Sequence, residues 1–430
     1  MSFHTLGLNS ELIKAVTQKG YKNPTQVQQK VIPSILKNLD IFATAQTGSG
    51  KSAAFLLPML HNLNKSEKSA KFAHPRAVIL APTKELAHQL QKSVNEYSAF
   101  LDIRSTLLIG GKNISAQQKE LASGRVDIVV ATPGRLRDHT KLKNIVLASV
   151  QFLVLDEADT LLDMGFLEEI DDILALLPIT RQNLMFSATK SGKVMNLSQK
   201  ILRSNERVEI DSIGTTALSL EQLVYEVDVE KKLELLPYII GSNNYKKVLV
   251  FVSTKAEAET IKKELNSSGL KSETLHGDKK QGARTKILNS FRESQIKVLV
   301  ATDIAARGID ITDLNVVINF DLPQVPDDYI HRVGRTARAG SSGVAISLVS
   351  FEEKGYLANI EKMLKKRLEK RVEEGFEPIS IVKRREIKRS EMNKKSTNTT
   401  SYAPTKTSGA FGKKKAKSGA KSKKTTKRDY

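Results

Sequence analysis

A chain of 430 residues exceeds what one hydrophobic core usually organises, so two or three domains are expected, and a hydrophobic content of 40% is enough to fill their cores. The absence of cysteine excludes a disulfide framework, thiolate metal sites and thiol catalysis, and neither an 18-residue apolar run nor a basic-then-apolar leader is found, so a soluble, cytoplasmic protein is expected. The formal net charge is +21, yet from Lys383 to Tyr430 there are 17 Lys or Arg against 3 Asp or Glu, which places +14 of it in that last stretch.

In chain order, short runs rich in Val, Ile and Leu alternate with longer amphipathic stretches. The first half reads DIFATA, AVILAPT, STLLIGG, DIVVATPGR, FLVLDEAD and NLMFSAT; the second reads KVLVFVST, SETLHGD, KVLVATD, VVINFD and VAISLVS. Continuous apolar runs of this length suit parallel strands covered by helices on both faces, which makes the fold class α/β. AVILAPT and DIVVATPGR are echoed by KVLVFVST and KVLVATDIAARG, so two related domains in tandem are expected, 1–208 and 221–382. Between them, NERVEIDSIGTTALSLEQ loses the periodicity around Gly214, which puts the linker at 209–220. Residues 383–430 are rich in Lys, Ser, Thr and Gly and cannot bury enough surface to offset the entropy of ordering. They read as a disordered basic tail with affinity for a polyanion such as RNA.

Ligands of such sheets sit outside the carboxyl ends of the strands. After DIFATA comes AQTGSGKS at 45–52, a phosphate-binding loop with Ala45 in place of its first glycine. Gly48 and Gly50 let backbone amides curl around phosphates, Lys51 neutralises the β and γ oxygens, and the Ser52 hydroxyl suits Mg²⁺. Such a loop explains the acids closing FLVLDEAD: Asp156 is placed to hold the metal and Glu157 to polarise water.

The ordered series GYKNPTQVQQ, AQTGSGKS, PTKELA, GG, TPGR, DEAD, SAT, VFVST, HGDKKQGAR, ATDIAARGID and HRVGRTAR resembles the DEAD-box ATP-dependent RNA helicases over residues 3–350, most closely their bacterial RhlE-type branch. The resemblance implies two RecA-like domains, ATP and Mg²⁺ as cofactors, and phosphates held by Gln46, Thr47, Gly48, Ser49, Gly50, Lys51 and Ser52. It also implies adenine recognition by Gln28 with Phe3 and Tyr21 near the base, a ribose contact at Asp310 beside Gly308 and Asp303, and arginine fingers at Arg335 and Arg338. Coupling between nucleotide and RNA falls to Asp159, Ser187, Thr189, His331 and Arg332. The RNA backbone track falls to Pro82, Thr83, Lys84, Gly110, Gly111, Thr132, Pro133, Gly134 and Arg135 in the first half, and to Thr254, Gly277, Arg284 and Thr302 in the second. Three positions depart from the family pattern: Gln26 replaces Pro, Lys84 replaces Arg, and Ala337 replaces Gly.

The expected activity is RNA-dependent hydrolysis of ATP to ADP and phosphate with local separation of short RNA duplexes. Ribosomal precursors or RNA-decay proteins are the partners the resemblance suggests, and no membrane is implied. The alternative is an RNA-annealing or RNA-clamping protein driven by the tail. If the tail anchors RNA, the log-log salt slope of binding, about −0.7 per neutralised phosphate on single strands, becomes shallower on truncation before Lys383, as fluorescence anisotropy over a salt series will show.

Overall fold

The computed structural model describes residues 2–45, 48–68, 72–203, 206–209, 220–306, 314–336 and 343–379. The expected tail and residues 210–219 of the expected linker lie outside them, as do Gln46, Thr47, Gly308, Asp310, Ala337 and Arg338. Residues up to Pro378 form one compact unit.

Two seven-stranded sheets organise that unit. The first contains β1 (Ile41–Thr44), β2 (Ala77–Leu80), β3 (Ser105–Leu108), β4 (Ile128–Ala131), β5 (Phe152–Leu155), β6 (Gln182–Ser187) and β7 (Glu206–Glu209), in the order β3-β4-β2-β5-β6-β1-β7. The second contains β8 (Leu220–Glu226), β9 (Val248–Val252), β10 (Ser272–Leu275), β11 (Val298–Thr302), β12 (Val316–Asn319), β13 (Gly343–Val349) and β14 (Glu369–Arg371), in the order β10-β11-β9-β12-β13-β8-β14. Adding seven to each strand number of the first order reproduces the second, so the tandem duplication read from the echoed segments is present in the topology. Every pairing is parallel. Three strands escape the apolar-run pattern: β8, and β7 and β14 at the sheet edges, whose sequences ERVE and EKR carry the charges that edge positions favour.

Burial on both faces explains the unbroken apolar runs. Ala77 and Ile79 of β2 join the core on one face while Val78 and Leu80 join the core on the other, because successive side chains point to opposite faces. In the second sheet Val248, Val250 and Val252 face one core, and Leu249 and Phe251 the other.

Strand order divides each sheet into two working halves. In the first, β5, β6 and β1 are neighbours, so the segments after them, DEAD, SAT and the phosphate loop, converge at one end. The adjacent neighbours β3, β4 and β2 bring together GG, TPGR and PTKELA.

A buried ion pair locks the opposite end of the first sheet. Arg76 Nη2 and Nε donate to Asp127 Oδ1 at 2.8 and 3.1 Å, and Nη1 donates to Leu63 O at 2.7 Å. The second carboxylate oxygen accepts from Arg104 N and Arg125 Nε. With the side chains 2% and 0% exposed, removal of Arg76 leaves Asp127 Oδ1 buried without its donors, while Oδ2 keeps Arg104 N and Arg125. Arg76→Ala is therefore expected to lower stability by about 3–5 kcal/mol, read as a lower midpoint in urea unfolding.

Candidate active site and nucleic-acid interface

The phosphate loop leaves β1 and enters the helix Lys51–Lys65 through Gly48 and Gly50, whose φ angles of 84° and 89° favour glycine. At Gly50 space is decisive too, since a Cβ there would lie 2.5 Å from Gln28 Nε2. Gln28 belongs to a capping box on the helix Gln26–Leu36: Thr25 N donates to Gln28 Oε1 at 2.9 Å, and Gln28 Nε2 donates to Gly50 O at 3.2 Å. The segment expected to read adenine thus grips the loop 45–52 at Gly50, and the amide keeps a second N–H and a second lone pair. Gln26 is the first helical residue, where Pro is favoured because its fixed φ suits the helix and the N–H there has no intrahelical partner; the cap survives the exchange. Phe3 is buried in the first core, while Tyr21 is 41% exposed with its hydroxyl 3.5 Å from that of Tyr97.

Lys51 is buried, and its ammonium has no hydrogen-bond partner among the described residues; nor has Glu157 Oε2. Leaving two buried charged atoms without partners is costly unless a ligand completes them. Burial raises the Asp156 carboxyl to about 6, with Lys51 opposing and Glu157 adding to the rise. Glu157 sits at φ 50° and ψ 56°, left-handed for a residue with a Cβ, at the start of the helix Ala158–Asp163. This donor set, one hydroxyl at Ser52 and one carboxylate at Asp156 beside a phosphate loop, fits Mg²⁺, which prefers few protein ligands together with phosphate and water.

Asp159 is the junction. Its Oδ2 accepts from Ala188 N and Thr189 N, both at 2.8 Å, and Oδ1 accepts from Thr160 N at 2.9 Å. Ser187 Oγ accepts from Thr189 N at 3.3 Å. From the second lobe, His331 Nε2 faces Asp159 Oδ2 at 3.5 Å and Nδ1 faces Asp328 at 3.8 Å, ion-pair distances longer than direct hydrogen bonds. Burial works against both charges, yet His331, Lys51 and Ser187 hold Asp159 below the carboxylate range, and Asp159 and Asp328 raise His331 to about 9.

Among the arginines of HRVGRTAR, Arg332 is engaged wholly within its own lobe. It forms a bidentate pair with Asp303 at 2.6 and 2.7 Å, donates to Asn319 Oδ1 and Asp321 O, and stacks over Phe251. Arg335 is buried, with Nε donating to His331 O at 3.2 Å.

Along the expected RNA track, Thr83 and Thr254 occupy equivalent positions after β2 and β9, and each hydroxyl caps the helix it precedes. Pro82 precedes the first of these caps. Lys84 reaches over the glycine pair, its Nζ 2.7 Å from where a Cβ of Gly111 would lie; that flexible end can shift, and it is the φ of 81° that favours glycine at Gly111. Thr132 caps the helix Pro133–Lys141 without a side-chain bond, Gly134 leaves open space, and Arg135 Nη1 donates to Lys112 O at 2.9 Å. In the second lobe Thr302 closes β11, and the loop carrying Gly277 is pinned by Glu259, which accepts from Thr274, His276 and Lys279. Arg284 donates from Nε to Glu85 Oε1 of the first lobe at 2.7 Å, with both side chains about nine-tenths buried. Glu85 lies inside PTKELA, but sequence offers no signal for a partner 199 residues away.

The family model for DEAD/DEAH box helicases matches residues 25–197, and that for the helicase conserved C-terminal domain matches residues 231–340. The chain is 39% identical to the ATP-dependent RNA helicase CshA of Listeria monocytogenes, over 85% of this chain and 69% of that one. It is 40% identical to the ATP-dependent RNA helicase RhlB of Pseudomonas syringae, over 85% and 93%. Among solved structures it resembles S. cerevisiae Dbp5 bound to RNA and ADP BeF3, with a TM-score of 0.78 and 32% identity over 86% of this chain and 95% of the other. It also resembles Mss116p bound to single-stranded RNA and AMP-PNP, with a TM-score of 0.78 and 28% identity over 87% and 80%. The chain belongs to the DEAD-box family of ATP-dependent RNA helicases. Its two parallel-sheet lobes are RecA-like. These relatives carry the names CshA and RhlB, and the expected RhlE-type branch has no specific support among them. No helix among the described residues is long and apolar enough to cross a membrane.

Because Asp159 across the lobe boundary and Asp328 on its own helix raise His331 from 6.5 to about 9, the part of that gain due to Asp159 is complete below pH 6.5 and is lost as the pH rises through about 9. Asp159, held low, stays ionised throughout that window. Coupling of ATP hydrolysis to RNA should therefore weaken from pH 6.5 to 9, and His331→Gln should flatten that part of the pH profile.

Proposed function

We propose that this chain hydrolyses ATP when single-stranded RNA and nucleotide draw its two lobes together, and that the closed lobes bend one strand and loosen a short duplex locally. The observation that carries the reading is the buried, unpartnered pair of Lys51 Nζ and Glu157 Oε2 beside a carboxylate network that reaches His331 of the other lobe.

ATP places its phosphates on residues 46–52 and its adenine against Gln28, Tyr21 and Phe3, with Asp310 and Gly308 at the ribose. Ser52 and Asp156 hold Mg²⁺, which when bound neutralises the phosphate oxygens. Glu157 orients a water and accepts its proton as the water oxygen bonds to the γ-phosphorus and the bond to the β-γ bridging oxygen breaks. Arg335 and Arg338 supply positive charge to the transferring phosphoryl group. Ser187 and Thr189, through Asp159 and His331, carry the nucleotide state to the RNA track, and Arg332 holds the second-lobe loops in place. Arg284 serves closure through Glu85 as well as lying on the track.

RNA follows Pro82, Thr83, Lys84, Gly110, Gly111 and the turn 132–135 in the first lobe, and Thr254, Gly277, Arg284 and Thr302 in the second. These contacts to sugar and phosphate carry little sequence readout. Residues 1–208 and 221–382 are the two domains, 209–220 joins them with its end residues Glu209 and Leu220 closing β7 and opening β8, and 383–430 is an RNA-anchoring tail.

Steady-state ATP hydrolysis measured alone, with RNA and with single-stranded DNA tests the reading. RNA should stimulate and DNA should not, and Glu157→Gln should lower the stimulated rate by about 100-fold or more. Equal stimulation by DNA would overturn the RNA assignment in favour of a DNA translocase.

A further inference from the structure

The turn Ile109–Gly110–Gly111–Lys112 is held from beneath by buried polar side chains that the reading above leaves without a task. Gln117 and His139 are 3% and 0% exposed. Gln117 Nε2 donates to Ile109 O at 3.0 Å, His139 Nε2 lies 3.3 Å from Gln117 Oε1, and Asn144 Nδ2 lies 3.2 Å from His139 Nδ1. The direction of this chain is set from one end. A carbonyl only accepts, so Gln117 turns its NH₂ towards Ile109 and its oxygen towards His139. His139 must then present N–H at Nε2, and its bare Nδ1 accepts from Asn144. Burial and the charge of Arg135 lower the His139 pKa against the opposing pull of Asp138, which suits this neutral tautomer.

His139 lies on the helix Pro133–Lys141, which begins in the TPGR turn. The same helix holds the other end of the glycine turn, where Arg135 donates to Lys112 O. The turn is thus tied at Ile109 and at Lys112 to one helix, so two segments assigned to the RNA backbone are fixed relative to each other. Lys84 lies against the same turn.

We propose that Gln117 and His139 are positioning residues for RNA: they set the spacing between the Gly110–Gly111 amides and the Thr132–Arg135 turn so that both engage one backbone. The inference rests on the reading of those two segments as RNA contacts. Both side chains bond beside β3 and β4, separated by β2, β5 and β6 from the strand β1 that leads into the phosphate loop, so their loss acts on RNA engagement and leaves nucleotide binding alone.

The test uses the full chain, with ATP hydrolysis titrated against single-stranded RNA and binding read by anisotropy. Gln117→Leu and His139→Leu should each raise the RNA concentration for half-saturation about tenfold, with the KM for ATP within about twofold. The double variant should match the single ones, because either break opens the same chain. Gln117→Glu preserves volume and the acceptor towards His139 but loses the donor to Ile109 O, so it should show the same RNA defect even if the leucine variants fold poorly. Unchanged RNA half-saturation in folded variants, or an equal rise in the KM for ATP, overturns the proposal. Arg135→Ala measured alongside separates the two levels: if it raises the half-saturation while the Gln117 and His139 variants do not, the track stands and the positioning role falls. If Arg135→Ala is silent as well, the track assignment itself falls.

Discussion

The carboxylate of Asp159 is the point on which the two lobes depend. It gathers the amides of Ala188 and Thr189 after β6 and of Thr160 on its own helix, then faces His331 across the lobe boundary. A charge so deeply buried is tolerable only while each oxygen is hydrogen-bonded or paired. Any shift of β5 against β6, or of one lobe against the other, therefore disturbs it. The residues proposed for the nucleotide sit on the same strand ends, with Asp156 and Glu157 just before it in sequence and the loop after β1 on the other side of β6. In the proposed mechanism a change of charge at those residues reaches the lobe boundary through Asp159 alone, which bonds the SAT segment and faces His331. Arg284 and Glu85 supply a second, independent link beside the track.

The duplicated frame appears twice, and among the described residues the second differs at the position equivalent to Lys51. Lys232 opens the helix after β8 just as Lys51 opens the helix after β1, but it donates to Phe320 O at 2.7 Å and to Glu353 Oε2 at 2.5 Å. Glu353 also accepts from Leu322 N and Ser350 N, so an internal carboxylate stands where the first lobe leaves its lysine unpartnered. Pairing a buried ammonium internally removes the drive to bind an anion. The second lobe keeps instead the edge half of the frame, where β10, β11 and β9 bring Gly277, Thr302 and Thr254 together as β3, β4 and β2 do in the first.

Backbone accounting explains why several of the residues proposed for the RNA track look ordinary. Thr83 and Thr254 cap helices with their hydroxyls, the role that Thr before a helix most often has. Capping and RNA contact are compatible, because a hydroxyl that accepts from a helix amide still has a proton to donate.

Much of this was legible in the residues. Parallel strands buried on both faces must be apolar without interruption, and a loop that wraps phosphate must combine glycine, lysine and a hydroxyl; both requirements are local, so a local pattern reveals them. Edge strands β7 and β14 were not legible, since a strand with one open side needs no apolar run, and β8 was hidden by the polar residues at its start. Nor could sequence join Arg284 to Glu85, or tie His139 to Ile109 through Gln117. A lone histidine on a helix looks the same whether it fills a core or passes a hydrogen bond to a loop. Such pairings arise from which strand ends become neighbours when the sheet assembles, and spacing along the chain does not encode that adjacency.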